Sequence, residues 1–256
     1  MSQTWPVRPI VWFTSASMLT TVLHELAHVC VAFALGVRST LYNYSGDLDL
    51  TEAQAATALP ALIRVAGPAF CLAIGTLSAL GSRRMPGSAA ELPLLYLAVF
   101  GLGTFFGNMM SIAFVGDFSA IAVAMHLPIA LRYLLAGAGA LVLATIHVWA
   151  GRRLVQFVPA QHGRVVGMLG IVALPVVLGM ATVILVNQPM PGASVSARVA
   201  EASFWVFAAI GALATARSGP DRHEGLALHW VDGAVLLLVI LVVRLMVRGI
   251  PFVPGT

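Results

Sequence analysis

IVWFTSASMLTTVLHELAHVCVAFALGV, residues 10–37, decides how this chain is built. Glu25 is its one formal charge, and no proline interrupts it. A hydrocarbon core about 30 Å thick is crossed by roughly 20 apolar residues in a helix, so the stretch is long enough with a turn or two to spare. Set into it are His24, Glu25 and His28. An ionisable trio in the middle of an apolar span is expensive to insert unless paired or metal-bound, which marks these residues as chemistry and not as packing material.

The rest of the chain repeats the apolar character of that stretch. Hydrophobic residues make up 59% of the 256 positions and charged residues 9%, with mean hydropathy +0.94. A water-soluble domain carries about 25% charged residues, so the composition excludes a globule surrounded by water. Residues 65–82, 92–116, 165–197 and 233–243 contain no Asp, Glu, Lys or Arg. The expected fold is all-α: a polytopic transmembrane helical protein in a single domain covering 1–256.

About six to seven segments are expected. They are 10–37, 59–81, a broken region at 92–127, then 128–150, 165–186, 202–216 and 231–247. One straight helix over 92–127 would reach about 54 Å, too long for the membrane. Its glycines at 101, 103, 107 and 116 and the carboxylate of Asp117 predict a break between Asn108 and Asp117. Residues 38–56 read as a polar loop with alternation too weak to define a hairpin. Cys30 and Cys71 read as small buried hydrophobes and not as a disulfide.

All 14 basic residues are arginine, in keeping with a GC-rich bacterial genome and a bacterial cytoplasmic membrane. They flank apolar segments and form no basic stripe, so no nucleic acid partner is expected. With one crossing in 92–127, a cytoplasmic N-terminus places Arg8, Arg83, Arg84, Arg152, Arg153, Arg164, Arg217 and Arg222 inside. Arg38, Arg132, Arg198 and Arg248 then lie outside, a bias that favours this orientation.

His24 and His28 are four residues apart, so on a helix both imidazoles leave from one face and can grip one ion. Glu25 lies beside them, placed to take a proton from an activated water. Two histidines leave a catalytic zinc one protein ligand short. The remaining candidates are Asp117, His126, His147 and Asp232. Asp117 is favoured because it follows Gly116 at the predicted break, where an unpaired carboxylate would be costly.

His24, Glu25 and His28, then Asn108 and Asp117 in a later span, with Ala66-Gly67-Pro68 between them, resemble the site-2 protease family of intramembrane zinc metalloproteases. The likeness covers residues 15–127, three spans forming a catalytic core, with 128–256 as additional helices. The chain departs from the family pattern in two places: it has Gly116-Asp117-Phe118 where the family commonly shows Asp-Gly, and no proline falls between Asn108 and Asp117. The resemblance implies one zinc ion on His24, His28 and Asp117, Glu25 as general base, and Asn108 on the substrate backbone or the developing oxyanion. It implies a metalloendopeptidase that cleaves membrane protein or peptide substrates within or near their transmembrane segments. The alternatives are a catalytically inactive membrane scaffold of the same fold, or a proton- or metal-coupled transporter.

Overall fold

The computed structural model describes residues 6–158, 162–189, 192–215 and 228–254. The chain is a helical bundle with α1 (Val7–Ala34) at its centre. After α1 come two short strands, β1 (Arg38–Leu41) and β2 (Gly46–Asp49), and a single helical turn, α2 (Glu52–Ala55). Next are α3 (Leu59–Arg84), α4 (Glu91–Met110), the short α5 (Asp117–Ala124) and α6 (Ile129–Leu154). The second half holds α7 (Arg164–Met168), two π-helical turns at Leu169–Ala173 and Pro175–Gly179, and α8 (Met180–Val186), which together form one pass. It ends with α9 (Gly192–Ser203), α10 (Trp205–Ala214), α11 (Trp230–Met246) and β3 (Ile250–Phe252).

Five segments are long and apolar enough to cross a membrane: Val7–Ala34, Leu59–Arg84, Glu91–Met110, Ile129–Phe157 and Val165–Val186. The protein is therefore an all-α, polytopic integral membrane protein. The expected break in 92–127 falls at residues 111–116, between α4 and α5. α4 itself runs unbroken through Gly101, Gly103 and Gly107, contrary to their reading as interruptions. Gly101 instead lets α4 press on α3: a Cβ there would lie 2.8 Å from the Cys71 carbonyl oxygen and from Gly75.

Buried ion pairs mark one end of the bundle. Arg8 at the start of α1 meets Asp232 at the start of α11 (Nε–Oδ2 2.9 Å) and donates to the Ala89 carbonyl between α3 and α4 (2.7 Å). Trp12 Nε1 donates to the same carboxylate at 2.7 Å. Arg153, at the end of α6, meets the fully buried Glu91 at 2.6 Å. Paired in this way, the charges are tolerated in low-dielectric surroundings. They also fix the direction of each pass, because starts and ends of successive helices meet there.

The other end carries a small antiparallel sheet, formed in part by residues 38–56, where the sequence alternation was too weak to define a hairpin. Its order is β2-β1-β3, with Thr40 opposite Asp47 on one side and Pro251 on the other. Pro251 has no N–H to give and sits in an edge strand, where proline is tolerated. Among the described residues, the other edge, β2, pairs with no strand but β1. Below the sheet, Asn43 Nδ2 donates to the backbone of Asn187, and Arg244 donates to the carbonyls of Val186 and Gln188 at the end of α8.

The expected segment 202–216 is divided between α9 and α10, which return the chain along α6. A Cβ at Gly151 would strike the carbonyl of Ala208, and one at Gly211 the carbonyl of Val148. Small residues that permit backbone contact are a main source of helix association where lipid is as apolar as the side chains. Gly151→Leu is expected to pry α6 from α10. Overpacking of about 1–3 kcal/mol predicts a fall of about 5 °C or more in the unfolding midpoint of the detergent-solubilised protein. An unchanged midpoint would show that the crossing contributes nothing.

Candidate metal centre

His24 and His28 leave α1 on the face turned toward α3 and α5, in the half of the helix nearer the sheet. Their Nε2 atoms are 3.1 Å apart. Asp117, the first residue of α5, brings Oδ2 to 3.1 Å from His24 Nε2 and 3.4 Å from His28 Nε2. It is the one group of three metal-ligating side chains found among the described residues. The sequence reading brought these same three residues together. His126, His147 and Asp232 lie elsewhere: Asp232 is held by Arg8 and Trp12, and His147 donates Nδ1–H to the Leu143 carbonyl with its ring against Trp205.

Hydrogen bonds on the far side of each ring fix what faces the centre. His28 Nδ1 lies 2.8 Å from the Ile63 carbonyl oxygen, which can only accept, so Nδ1 donates there and the ring turns Nε2 toward the centre. His24 Nδ1 lies 3.6 Å from Cys71 Sγ, whose own thiol donates to the Thr20 carbonyl. Two imidazole nitrogens and a carboxylate oxygen thus converge on one point, a donor set able to hold one cation. A tetrahedral zinc with bonds near 2.0–2.1 Å sets its ligand atoms about 3.3 Å apart, and the three observed separations fit that edge. Imidazoles oriented by a carbonyl or other partner on the opposite nitrogen are the usual second layer of such sites.

The backbone around the centre is shaped to the same end. Gly67 on α3 faces both rings: a Cβ there would lie 2.5 Å from His28 Nε2 and 2.8 Å from His24 Cε1. Pro68 follows inside the helix and removes the donor for the Arg64 carbonyl, a local opening of the ladder. Gly116 has φ +98 and ψ −174, a backbone state essentially restricted to glycine, and it turns the chain so that α5 starts with Asp117 at the histidines. The Asn108 side chain, carried by α4, accepts from the Asp117 N–H at 3.3 Å and donates to the Thr104 carbonyl at 3.1 Å. It therefore caps α5 from a neighbouring helix while lining the cavity.

A cavity of about 750 Å³ opens over the triad. Glu25, 9% exposed, lines it beside His24 and His28. β2 forms one wall through Ser45, Gly46, Asp47 and Leu48, with Gly46 seated against Val29 and His28. α9 forms another, where Arg198 donates to Thr21 Oγ1 at 2.6 Å and pairs with Glu201 at 3.0 Å. Arg64 on α3 lines the cavity with Nη1 3.7 Å from Asp117 Oδ1.

Several of these residues escaped the sequence reading. Arg198, read from the sequence only as a residue of the outer membrane side, lines the cavity beside Thr21 on α1. Cys71 is buried as expected but touches His24, and Cys30, also expected to be buried, is exposed on the outside of α1. Arg217 and Arg222, used in the orientation argument, lie outside the described residues. No protein-family model matches the chain, and neither does any curated protein or solved structure.

Proposed function

We propose that this protein is a zinc-dependent intramembrane endopeptidase, cleaving peptide bonds within or near the transmembrane segments of membrane protein substrates. The observation that carries the reading is the convergence of His24, His28 and Asp117 on one point, with Glu25 beside them in a cavity of about 750 Å³ inside the bundle. His24 Nε2, His28 Nε2 and Asp117 Oδ2 would hold the ion. Bound there, zinc lowers the pKa of a water toward about 7 and polarises an amide carbonyl. Glu25 accepts the proton of the attacking water and delivers it to the leaving amide nitrogen as the C–N bond breaks. The deep polar cavity admits water to a site enclosed by apolar helices.

A substrate helix hides its carbonyls in its own hydrogen bonds and must unwind before a peptide bond can be cut. The free edge of β2 supports the capture of such an unwound segment, since its unpaired backbone groups can pair with an extended chain along the cavity wall. The arginines at the end where α1 begins, among them Arg8, Arg83, Arg84, Arg152 and Arg153, support a cytoplasmic N-terminus in a bacterial cytoplasmic membrane.

Metal analysis of the purified chain tests the centre. One zinc per wild-type chain is expected, with most of it lost on dialysis from both His28→Ala and Asp117→Ala. Full zinc occupancy in Asp117→Ala would remove Asp117 from the ligand set.

A further inference from the structure

Arg64 is the one formal charge between Glu52 and Arg83, carried by an otherwise apolar helix. A guanidinium in such a position is costly to insert and needs a reason. Service as a structural counter-ion to Asp117 does not supply one. The closest approach is 3.7 Å, beyond a hydrogen bond, and the Arg64 side chain is 44% exposed. Structural pairs in this bundle look different: Arg8 meets Asp232 at 2.9 Å with 3% of each side chain exposed, and Arg153 meets a Glu91 of zero exposure at 2.6 Å.

Asp117 Oδ1, the oxygen near Arg64, is the one turned away from the histidines, so the guanidinium stands at the rim of the triad without occupying it. Glu25 rises from α1, on the wall it shares with Thr21 and Arg198, whereas Arg64 comes from α3. Among the described residues no hydrogen bond holds the Arg64 guanidinium, so its planar fork of N–H groups is free to point at whatever occupies the cavity.

We infer that Arg64 is a catalytic residue of the proposed hydrolysis, donating to the oxygen of the scissile carbonyl as that oxygen becomes anionic. The inference rests on the endopeptidase reading. When the water oxygen bonds to the carbonyl carbon, the C=O π pair moves onto the carbonyl oxygen. A cation with free donors stabilises that charge more than it stabilises the neutral carbonyl, and such differential binding is what accelerates the step. Collapse restores the C=O bond and breaks C–N, with Glu25 supplying the proton to nitrogen.

The test uses the full zinc-loaded chain in detergent, a quenched-fluorescent peptide of apolar transmembrane sequence, and a phosphonamidate analogue of that peptide as an anionic tetrahedral mimic. Arg64→Met is expected to lower kcat about 100-fold, the scale seen when one oxyanion donor is removed. KM should stay within about threefold, since the interaction is made in the transition state. Phosphonamidate affinity should weaken in parallel with kcat/KM, zinc content should match wild type, and Arg64→Lys should recover part of both. Loss of zinc from Arg64→Met, a rise in KM at constant kcat, or unchanged phosphonamidate affinity each overturns the assignment. A wild-type protein that neither cleaves the peptide nor binds the phosphonamidate brings down the endopeptidase reading itself. A wild type and an Arg64→Met that cleave equally remove Arg64 alone.

Discussion

Glu25→Gln is expected to keep its zinc and lose about 10²–10⁴-fold in cleavage rate, the range by which a positioned general base contributes. The amide has the shape of the carboxylate, so the α1 turn and the packing around it are preserved. The three ligand atoms that converge on one point belong to His24, His28 and Asp117, and none of them to Glu25. What the substitution removes is a carboxylate in the cavity wall, next to His24 in the chain, that can take a proton from water and return it to nitrogen. Zinc content by elemental analysis and cleavage of a co-expressed membrane substrate read the two halves separately. Zinc loss in Glu25→Gln would make Glu25 a ligand, and undiminished cleavage would end its role as base. Intact zinc with no cleavage in the wild type as well would leave a metal-binding scaffold.

The centre was legible in the sequence because its signals are local or depend on hydropathy. His24 and His28 at a one-turn spacing need only the α1 helix to bring their rings together. Asp117 stood out because a carboxylate after Gly116 in a charge-free stretch demands a partner, and the structure supplies His24 and His28. The sheet was not legible. β1 pairs with β3 across more than 200 residues, and four-residue strands carry too few alternations to register. The same limit hid Arg198: it follows a charge-free run and looked like a boundary arginine, because nothing in the sequence says that α9 folds against Thr21. Cys30 and Cys71 show what hydropathy cannot resolve. Both are apolar neighbours in composition, yet one faces the outside of the bundle and the other the back of a ligand imidazole. The α4 glycines failed for a related reason, since a glycine that breaks a helix and one that lets two helices touch look alike in sequence.

Gly67 carries the second large effect. Gly67→Ala adds one methyl group to α3, and the Cβ would fall 2.5 Å from His28 Nε2, 2.7 Å from His28 Cε1 and 2.8 Å from His24 Cε1. Those atoms belong to the two ligand rings, one of them a ligating nitrogen, so relief requires moving a ligand. The His28 ring cannot slide freely, because its Nδ1–H is bound to Ile63 on the same helix that carries the new methyl. Shifting α3 outward breaks that bond, and rotating the ring turns Nε2 away from Asp117. Loss of a single supporting contact around a metal ligand weakens binding about 10–100-fold, and a clash with both rings at once should reach at least the upper figure. Gly107→Ala is the matched control, an alanine on a neighbouring helix with nothing within 4 Å of its Cβ. It should bind zinc as the wild type does. Titration against a competing chelator, with helicity and size-exclusion profile checked in parallel, separates a displaced ligand from a protein that failed to fold. Wild-type zinc affinity in a well-folded Gly67→Ala would mean that α3 does not press on the histidines, and that the close approach of α1 and α3 is not what builds this centre.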